Sequence, residues 1–174
     1  MNPSSRRERP RQQARPERTV LGLDPGLAAT GYGVLAVRHH DAAVIECGVL
    51  RTSPQLSLPQ RLVELQRAVT ALLARYRPDL AAVEKIFFNT NTTTAMAVSQ
   101  ARGVVVAACG QAGARVRECT PLEVKLAVSG YGRADKRQMQ RMVTLLLKLE
   151  QPPQPDDAAD ALAIAIWGTR LTSW

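Results

Sequence analysis

The stretch Thr19–Asp24, TVLGLD, with Pro25-Gly26 directly after it, decides how the rest of the chain is expected to fold. Its apolar, β-branched residues are typical of a buried strand. The sequence DPG predicts a turn in which Pro25 fixes φ and Gly26 is free to adopt a positive φ. Two more strand patterns follow at short spacing, Thr30–Arg38 and Ala42–Leu50. Such short connections predict three strands joined as antiparallel hairpins.

The second half of the chain alternates helical and strand patterns. Apolar residues recur at helical spacing from Leu58 to Tyr76, and Pro78 ends that pattern. The next strand, Leu80–Ile86, is apolar on both faces, as expected of a central or parallel strand. A fifth strand is predicted at Ala114–Cys119, and further helices at Thr92–Cys109, Pro121–Val128, Ala134–Leu149 and Asp156–Arg170. This order predicts a mixed α/β domain, a five-stranded sheet flanked by helices.

The composition points to an acidic partner. The 174 residues carry a net charge of +8 and a pI near 10.1, which favours nucleic acid. Half of that charge lies in residues 1–18, which hold six arginines, two glutamates and few apolar side chains. We therefore expect a disordered basic tail followed by a folded domain at 19–174. Aromatic residues make up 4% of the chain, which argues against an extended base-stacking surface.

Neither the cysteines nor the apolar segments indicate an exported or membrane protein. Cys47, Cys109 and Cys119 show no CxxC spacing, so we expect free thiols in a reducing compartment and no zinc site. The N-terminus lacks an apolar signal core, and no apolar stretch reaches membrane-spanning length. The expected protein is soluble and cytoplasmic.

Four carboxylates, Asp24, Glu84, Asp157 and Asp160, carry the functional prediction. Asp24 ends the first strand, Glu84 interrupts the apolar fourth strand, and the pair begins the last helix three residues apart, hence on one face. Carboxylates brought together repel one another unless a cation neutralises them, and hard oxygen ligands suit Mg²⁺ or Mn²⁺. In a basic chain this combination suggests two metal ions acting on a nucleic-acid phosphate.

Each of these carboxylates also has a purely structural interpretation. Asp24 is a common turn residue before Pro-Gly, and Glu84 is compatible with an edge strand that faces water. Acids at the start of a helix cap it and complement its dipole. Asp156 makes the register of the last pair ambiguous, because by spacing alone either Asp156 or Asp157 can partner Asp160. Convergence of the first strand, the fourth strand and the last helix would bring the acids together.

Four sequence blocks resemble the signature blocks of the RuvC family of Holliday junction resolvases. They are GLDPGLAATGYGV, VEKIFFNTNTTTAMAVSQARGV, VKLAVSGYGRADKRQMQRMV and DDAADALAIAI, in the family's order and spacing, from about Thr19 to Trp167. The resemblance implies a ribonuclease-H-like fold and a homodimer. By motif it makes Asp24, Glu84, Asp157 and Asp160 the metal-binding catalytic acids, and it favours Asp157 over Asp156.

The same resemblance implies an activity. A member of this family nicks two strands of like polarity at a four-way DNA junction during recombination and repair, using Mg²⁺ or Mn²⁺, with two ions expected in each active site. The products would carry 5′-phosphate ends and be ligatable. A partnership with a branch-migration motor complex is implied by the family alone.

The loop after the fourth strand is expected to contact DNA. Phe87 resembles the family residue that stacks on an unpaired junction base, an interaction worth about 1–3 kcal/mol. A phenylalanine in an apolar run is also a common core residue, and Phe88 stands beside it. Asn91 matches the family's asparagine in this loop, and it is equally a good residue for starting the next helix.

A basic segment in the third block is expected to contact phosphates. Two lysines match lysine positions of the family, and two arginines lie close to them around the Gly-rich sequence SGYGRAD. A solvated charged surface is the alternative. We interpret them as phosphate contacts, with one of the lysines stabilising charge in the transition state. The four residues are Lys125, Arg133, Lys136 and Arg137.

Other functions fit the sequence less well. The intact set of acids argues against a non-catalytic junction-binding scaffold. A ribonuclease-H-like nuclease acting on RNA stays open as an alternative, because the same fold cuts both nucleic acids. The sequence GLDPG also resembles the first phosphate loop of actin-like kinases and chaperone ATPases. Those proteins need two lobes and a second phosphate loop, which 174 residues do not supply.

Overall fold

The computed structural model describes residues 17–39, 41–85 and 92–171. Strands in these ranges form one mixed sheet in the order β3-β2-β1-β4-β5. They are β1 (Arg18–Asp24), β2 (Ala29–Arg38), β3 (Asp41–Arg51), β4 (Leu80–Glu84) and β5 (Arg115–Cys119). β1, β2 and β3 pair antiparallel, whereas β4 pairs parallel with both β1 and β5. The predicted hairpins, and the parallel fourth strand beside the first, are confirmed.

Helices connect and cover these strands in the predicted order. They are α1 (Leu58–Tyr76), α2 (Thr92–Gln111), α3 (Pro121–Ser129), α4 (Lys136–Leu146) and α5 (Asp156–Thr169). The prediction of one helix over Ala134–Leu149 is wrong at both ends. Asp135 caps α4 by accepting the backbone N–H of Gln138 at 2.8 Å, so the helix begins after it. Lys148 adopts a left-handed conformation with φ 53°, which a continuing helix does not permit.

The helices lie on both faces of the sheet, which gives three layers. Alternate residues along a strand point to opposite faces. On one face, α1 and α2 cover a core of buried aliphatic side chains that includes Leu21, Leu23, Val83, Leu65 and Val105. On the other face, α3, α4 and α5 cover a core that includes Val20, Leu35, Ala82, Val124, Val143 and Leu162.

α5 lies unusually close to β1 and β2 because glycines face it. A Cβ atom added at Gly22 would lie 2.2 Å from the carbonyl oxygen of Ala161. One added at Gly31 would lie 2.1 Å from the carbonyl oxygen of Asp157. Neither position accepts a larger residue unless the helix backbone moves. The glycines therefore set how deeply α5 packs on the sheet, and with it where its acids lie.

The cysteines agree with the expectation of free thiols. Cys109 and Cys119 are buried, Cys47 is half-buried, and all three are free. β1 begins at Arg18, one residue before the predicted start of the folded domain, and most of the predicted tail lies outside the described residues. No helix in the described ranges combines the length and the apolar character needed to cross a membrane.

Candidate active site

Asp24 and Glu84 are the last residues of two neighbouring parallel strands, so they lie together at the carboxyl end of those strands. Leu23 of β1 is in register with Val83 of β4, so the next residue of each strand, Asp24 and Glu84, lies beside the other. Gly22 faces α5, and Asp24, two residues later, points to the same side. β4 lies between β1 and β5, so the interpretation of Glu84 as an edge-strand residue is wrong.

α5 brings its acids to the carboxyl ends of β1 and β4. The backbone and Cβ of Asp157 pack against Gly31, which is the β2 residue opposite Asp24 in the β1–β2 register. Asp160 follows three residues later, on the same face of the helix, and is half-buried. β1, β4 and α5 therefore converge as the sequence predicted.

Asp156 and Asp157 differ in their surroundings. Asp156 is exposed: its Oδ2 lies 2.9 Å from Lys136 Nζ, and its Oδ1 accepts a hydrogen bond from Gln140 Nε2 at 2.9 Å. Asp157 is half-buried, and its charge helps to raise the pKa of Asp24. These surroundings favour Asp157 as the member of the acidic cluster, and Asp156 as a residue that begins the helix.

A cavity of about 260 Å³ opens beside Asp24, Glu84 and Asp160. The other residues that line it come from α3, α4 and α5 or begin them: Pro121, Val124, Lys125, Lys136, Met139 and Ala163. A larger hollow of about 600 Å³ lies near the opposite end of β1, and Asp41 is the sole acid among the described residues lining it. Convergent titratable groups distinguish a functional site better than volume does, so we place the site at the smaller cavity.

The carboxylates of the cavity hold protons more tightly than isolated ones. Burial, followed by the negative charges of Asp160 and Asp157, raises the pKa of Asp24 to about 6. Burial, followed by the charges of Asp24 and Asp160, raises the pKa of Glu84 to about 7. Burial also raises the pKa of Asp160, although the nearby Lys136 opposes that rise. The cluster therefore holds more negative charge than its surroundings neutralise.

The donor set fits a hard divalent cation. Carboxylate oxygens are the protein ligands that Mg²⁺ and Mn²⁺ favour, and buried acids that raise one another's pKa are stabilised by such a charge. Within residues 17–39, 41–85 and 92–171, no group of three or more His, Cys, Asp or Glu side chains is close enough together to hold an ion as they stand. The acids surround the cavity without converging on one point.

Lys136 forms ion pairs with two acids of α5. Its Nζ lies 2.9 Å from Asp156 Oδ2 and 3.8 Å from Asp160 Oδ2. The hydrogen bond to Asp156 is the main reason that the pKa of Lys136 is raised. Lys136 is half-exposed and lines the cavity, so a phosphate that enters there would compete with Asp156 for its ammonium group.

The other residues predicted to contact DNA differ in how close they lie to the cavity. Lys125 lines the cavity and is half-buried, whereas Arg133 and Arg137 are exposed and lie outside its lining. None of these three forms an ion pair with another described residue. Phe87 and Asn91 lie outside the described residues, as does Phe88, and their predicted roles stay predictions.

The turn after Asp24 is closed differently from the prediction. The left-handed conformation predicted for Gly26 is wrong, because in the described ranges Gly113 and Gly130 are the glycines with positive φ. Gly26 is instead restricted by the carbonyl oxygen of Ala29, 2.3 Å from where a Cβ would lie. The buried hydroxyl of Thr30 donates to the Gly26 carbonyl at 2.7 Å and fixes the turn.

The glycines under α5 are functional residues that the sequence analysis missed. Gly22 precedes Asp24 by two residues, and Gly31 and Gly33 are also two apart, so all three fall on the acid-bearing face of the hairpin. Glycines at alternate positions of a strand mark a close approach of another backbone. That spacing was the available signal, and it predicts which face the last helix occupies.

Comparison with known proteins gives a consistent family. The family model for the crossover junction endodeoxyribonuclease RuvC matches residues 20–168. A protein of that name from Alkaliphilus metalliredigens is 51% identical over 147 residues, which cover 84% of this chain and 90% of the relative. The similarity spans both strand acids and the helix acids, not one motif.

Solved structures agree in fold. Thermus thermophilus RuvC, determined in complex with a Holliday junction substrate, is 37% identical, with a TM-score of 0.83 over 88% of this chain and 93% of that one. The yeast mitochondrial Holliday junction resolvase has a TM-score of 0.65 at 15% identity, over 87% of this chain and 79% of that one, a likeness of fold alone. The predicted ribonuclease-H-like architecture is confirmed.

Proposed function

The chain belongs to the RuvC family of crossover junction endodeoxyribonucleases, and from this premise we propose that it resolves four-way DNA junctions with a carboxylate cluster built from Asp24, Glu84, Asp157 and Asp160. The observation that carries the proposal is the cavity at which β1, β4 and α5 meet. Half-buried carboxylates line it, together with Lys125 and Lys136, as hydrolysis of a polyanion requires.

The roles of the acids follow from their chemistry. Asp24, Glu84, Asp157 and Asp160 would hold two Mg²⁺ or Mn²⁺ ions, which would supply Lewis-acid stabilisation and an activated water for attack on the scissile phosphate. Asp24 and Glu84 are fixed by the sheet, whereas Asp157 and Asp160 are fixed by how deeply α5 packs. Ligands held on rigid elements of two kinds resist displacement when the substrate binds. The expected products carry 5′-phosphate ends.

The basic side chains have two roles in this proposal. Lys125 and Lys136 reach the cavity and would contact the phosphate that is cut. Arg133 and Arg137, exposed and without an ionic partner among the described residues, would contact phosphates farther along the arms. Such contacts release counterions, so junction binding is expected to weaken steeply with added salt. Phe87 and Asn91 complete the proposed DNA contacts by family resemblance.

A second copy of the chain is the expected partner for α2. Met96 is 67% exposed on this helix, and nothing lies within 4 Å of a Cβ added at Gly103 or Gly110. With the exposed Ala107 and Gln100, these residues form an outward face of mostly small or apolar side chains. Two copies joined there would place two active sites about one two-fold axis, matching a junction of similar symmetry.

Light scattering at micromolar concentration tests the dimer. We expect twice the chain mass of 19.0 kDa. A monomer that still cuts both strands in one encounter would contradict this arrangement.

A motor complex as a further partner rests on the family resemblance alone.

RNA as the substrate is the second candidate, because the same carboxylate cluster hydrolyses either backbone. The decisive experiment compares a synthetic four-way DNA junction with an RNA/DNA hybrid and a linear duplex of the same sequence, each in Mg²⁺ and in Mn²⁺. We expect paired nicks in the junction and little cleavage of the other two. Preferential cleavage of the hybrid would replace the proposal with an RNA nuclease. Junction binding without cleavage in either metal would leave a scaffold.

A further inference from the structure

We infer that Arg102, on α2, is a positioning residue for Glu84: its guanidinium supplies the hydrogen bond that the Glu84 carbonyl does not receive from β1, because the residue whose N–H would donate there is Pro25, which has none. The inference rests on the proposed function, since it concerns a proposed metal ligand. It adds a residue from the α1–α2 side of the sheet, which bears none of the four acids.

The hydrogen bonds of β4 show first which neighbouring strand the Glu84 carbonyl faces. Lys85 donates its backbone N–H to the carbonyl oxygen of Cys119 at 2.8 Å, and Arg115 donates to that of Asp79 at 3.3 Å. At the end of β4 the odd-numbered residue Lys85 therefore pairs with β5, whereas Asp79, just before the strand, contacts both neighbours, because its N–H donates to the carbonyl of Thr19 in β1 at 2.9 Å. In a parallel ladder, successive residues bond alternately to the two neighbouring strands. The carbonyl of Glu84 is therefore directed towards β1.

The second step is the residue that faces this carbonyl. Leu23 is in register with Val83, so Asp24 is beside Glu84, and the donor expected for the Glu84 carbonyl is the N–H of the residue after Asp24. That residue is Pro25, which has no N–H. The β1–β4 hydrogen-bond ladder therefore ends at Pro25, because proline has no N–H to donate. A half-buried carbonyl without a donor costs free energy.

The third step is the group that replaces the missing donor. Arg102 Nε donates to the carbonyl oxygen of Glu84 at 3.3 Å. The same guanidinium pairs through Nη2 with Glu118 of β5, and the Arg102 side chain is 23% exposed. A half-buried guanidinium held by a carboxylate has little freedom to turn away. The ion pair thus fixes the donor, and the donor fixes the end of the strand that carries Glu84.

The position of Arg102 separates this role from DNA binding. The cations that line the acidic cavity among the described residues are Lys125 and Lys136, and Arg102 is not among them. Its charge is already paired with Glu118. Loss of Arg102 should therefore disturb the geometry of the acids and leave the phosphate-binding side chains in place.

The test uses the full-length protein and the variants Arg102→Met and Arg102→Lys, with Arg75→Met as the matched control. Arg75 also pairs with a glutamate, Glu46, at 3.3 Å, but on α1 and away from the acids. Three quantities are measured for each: Mn²⁺ affinity by calorimetry without DNA, junction affinity in a chelator, and the single-turnover cleavage rate at saturating protein.

We expect Arg102→Met to weaken Mn²⁺ binding and to slow single-turnover cleavage by about 10–100-fold, the usual cost of removing a group that orients a metal ligand. Junction affinity in the chelator should stay unchanged. Arg102→Lys, which keeps a charged donor, should recover part of the loss, and Arg75→Met should resemble the wild type. Wild-type Mn²⁺ affinity in a folded Arg102→Met protein would overturn the inference and leave a structural ion pair.

Two further variants keep the inference falsifiable if Arg102→Met does not fold. Glu118→Gln frees the guanidinium without removing it, and we expect a smaller loss of Mn²⁺ affinity; no loss would contradict the inference. Pro25→Ala restores an N–H opposite the Glu84 carbonyl. Added to Arg102→Lys, it should return Mn²⁺ affinity towards the wild-type value. If affinity did not return, the idea that the Arg102 guanidinium replaces the backbone N–H missing at position 25 would be contradicted. Mn²⁺ binding without junction cleavage by the wild type would defeat the proposed function while the positioning role stands.

Discussion

The two faces of the central sheet use alternate residues of the same strands for opposite purposes. Towards α1 and α2, β1 presents Leu21 and Leu23, both fully buried in a core of aliphatic side chains. Towards α5 it presents Gly22 and Asp24, a residue without a side chain followed by a carboxylate whose pKa is raised to about 6. The α1–α2 face gains stability by burying large apolar side chains. The α5 face has glycines instead, and the missing side chains let the backbone of α5 pack close to the sheet.

The two faces of the sheet therefore separate the apolar core from the acidic site. A buried leucine contributes about 1.5–3 kcal/mol of transfer free energy, whereas a buried carboxylate without a partner is destabilising. The α1–α2 face holds the strands in register, and the glycine face then places the acids of α5 beside those of β1 and β4. Changes to the apolar core of the first face should alter stability more than activity, and changes to the second face should do the reverse; Arg102 is the exception on the α1–α2 side, because it bonds the Glu84 carbonyl.

The largest effect is expected for Asp24→Asn. Removal of this carboxylate takes away a proposed metal ligand, so cleavage should fall by about 10²–10³-fold or more. Junction binding should stay equal or become tighter, because one negative charge near the phosphates is lost. Asp156→Asn is the control, since Asp156 is engaged with Lys136 and Gln140, and its activity should resemble that of the wild type. Junction cleavage and gel-shift assays measure both quantities, and near-wild-type cleavage by Asp24→Asn would exclude Asp24 from the site.

A smaller and more diagnostic effect is expected for Gly31→Ala. Its methyl group would collide with the carbonyl of Asp157, so α5 has to move. Overpacking of this kind costs about 1–3 kcal/mol of stability. Displacement of a positioned group by about 1 Å costs about 100-fold in rate. Thermal melts and single-turnover cleavage on the same samples should show a loss of activity much larger than the loss of stability explains.

Leu21→Ala is the matched change on the opposite face. The cavity it leaves should cost about 2–5 kcal/mol of unfolding free energy. Cleavage per folded molecule should be unchanged well below the melting temperature, because no acid moves. If Leu21→Ala impaired cleavage as strongly as Gly31→Ala does, the division between the two faces would be wrong.

The smallest effect is a dependence of stability on pH. The pKa of Asp24 is raised from 3.8 to about 6, and that of Glu84 from 4.5 to about 7. Between these values the folded protein binds protons that the unfolded chain has released, so the free energy of unfolding falls as pH rises from about 4 to about 7. Thermal melts in a chelator measure this slope. It should shrink in Asp24→Asn, and Mg²⁺ should oppose it at the upper end. Melting temperatures that rise through this window without metal would contradict the pKa directions.

Sequence patterns were sufficient for the hairpins of β1, β2 and β3 and for the position of β4 beside β1. The pattern Leu80–Ile86 is apolar on both faces, which predicted a central or parallel strand, and a parallel β4 beside β1 brings Glu84 next to Asp24. Helix ends were less accessible, since α4 begins only after its cap at Asp135. The contact between Arg102 and the Glu84 carbonyl had no sequence signal of its own, because it joins residues eighteen positions apart through tertiary packing.

The central claim is that β1, β4 and α5 form one metal centre from Asp24, Glu84, Asp157 and Asp160. Anomalous diffraction from crystals soaked in Mn²⁺ tests it most directly. We predict two peaks about 3.5–4 Å apart, ligated by these four carboxylates, with Asp156 still beside Lys136. Peaks ligated by Asp156 instead of Asp157, or Mn²⁺ bound elsewhere while Asp24 and Glu84 remain without metal, would contradict the account.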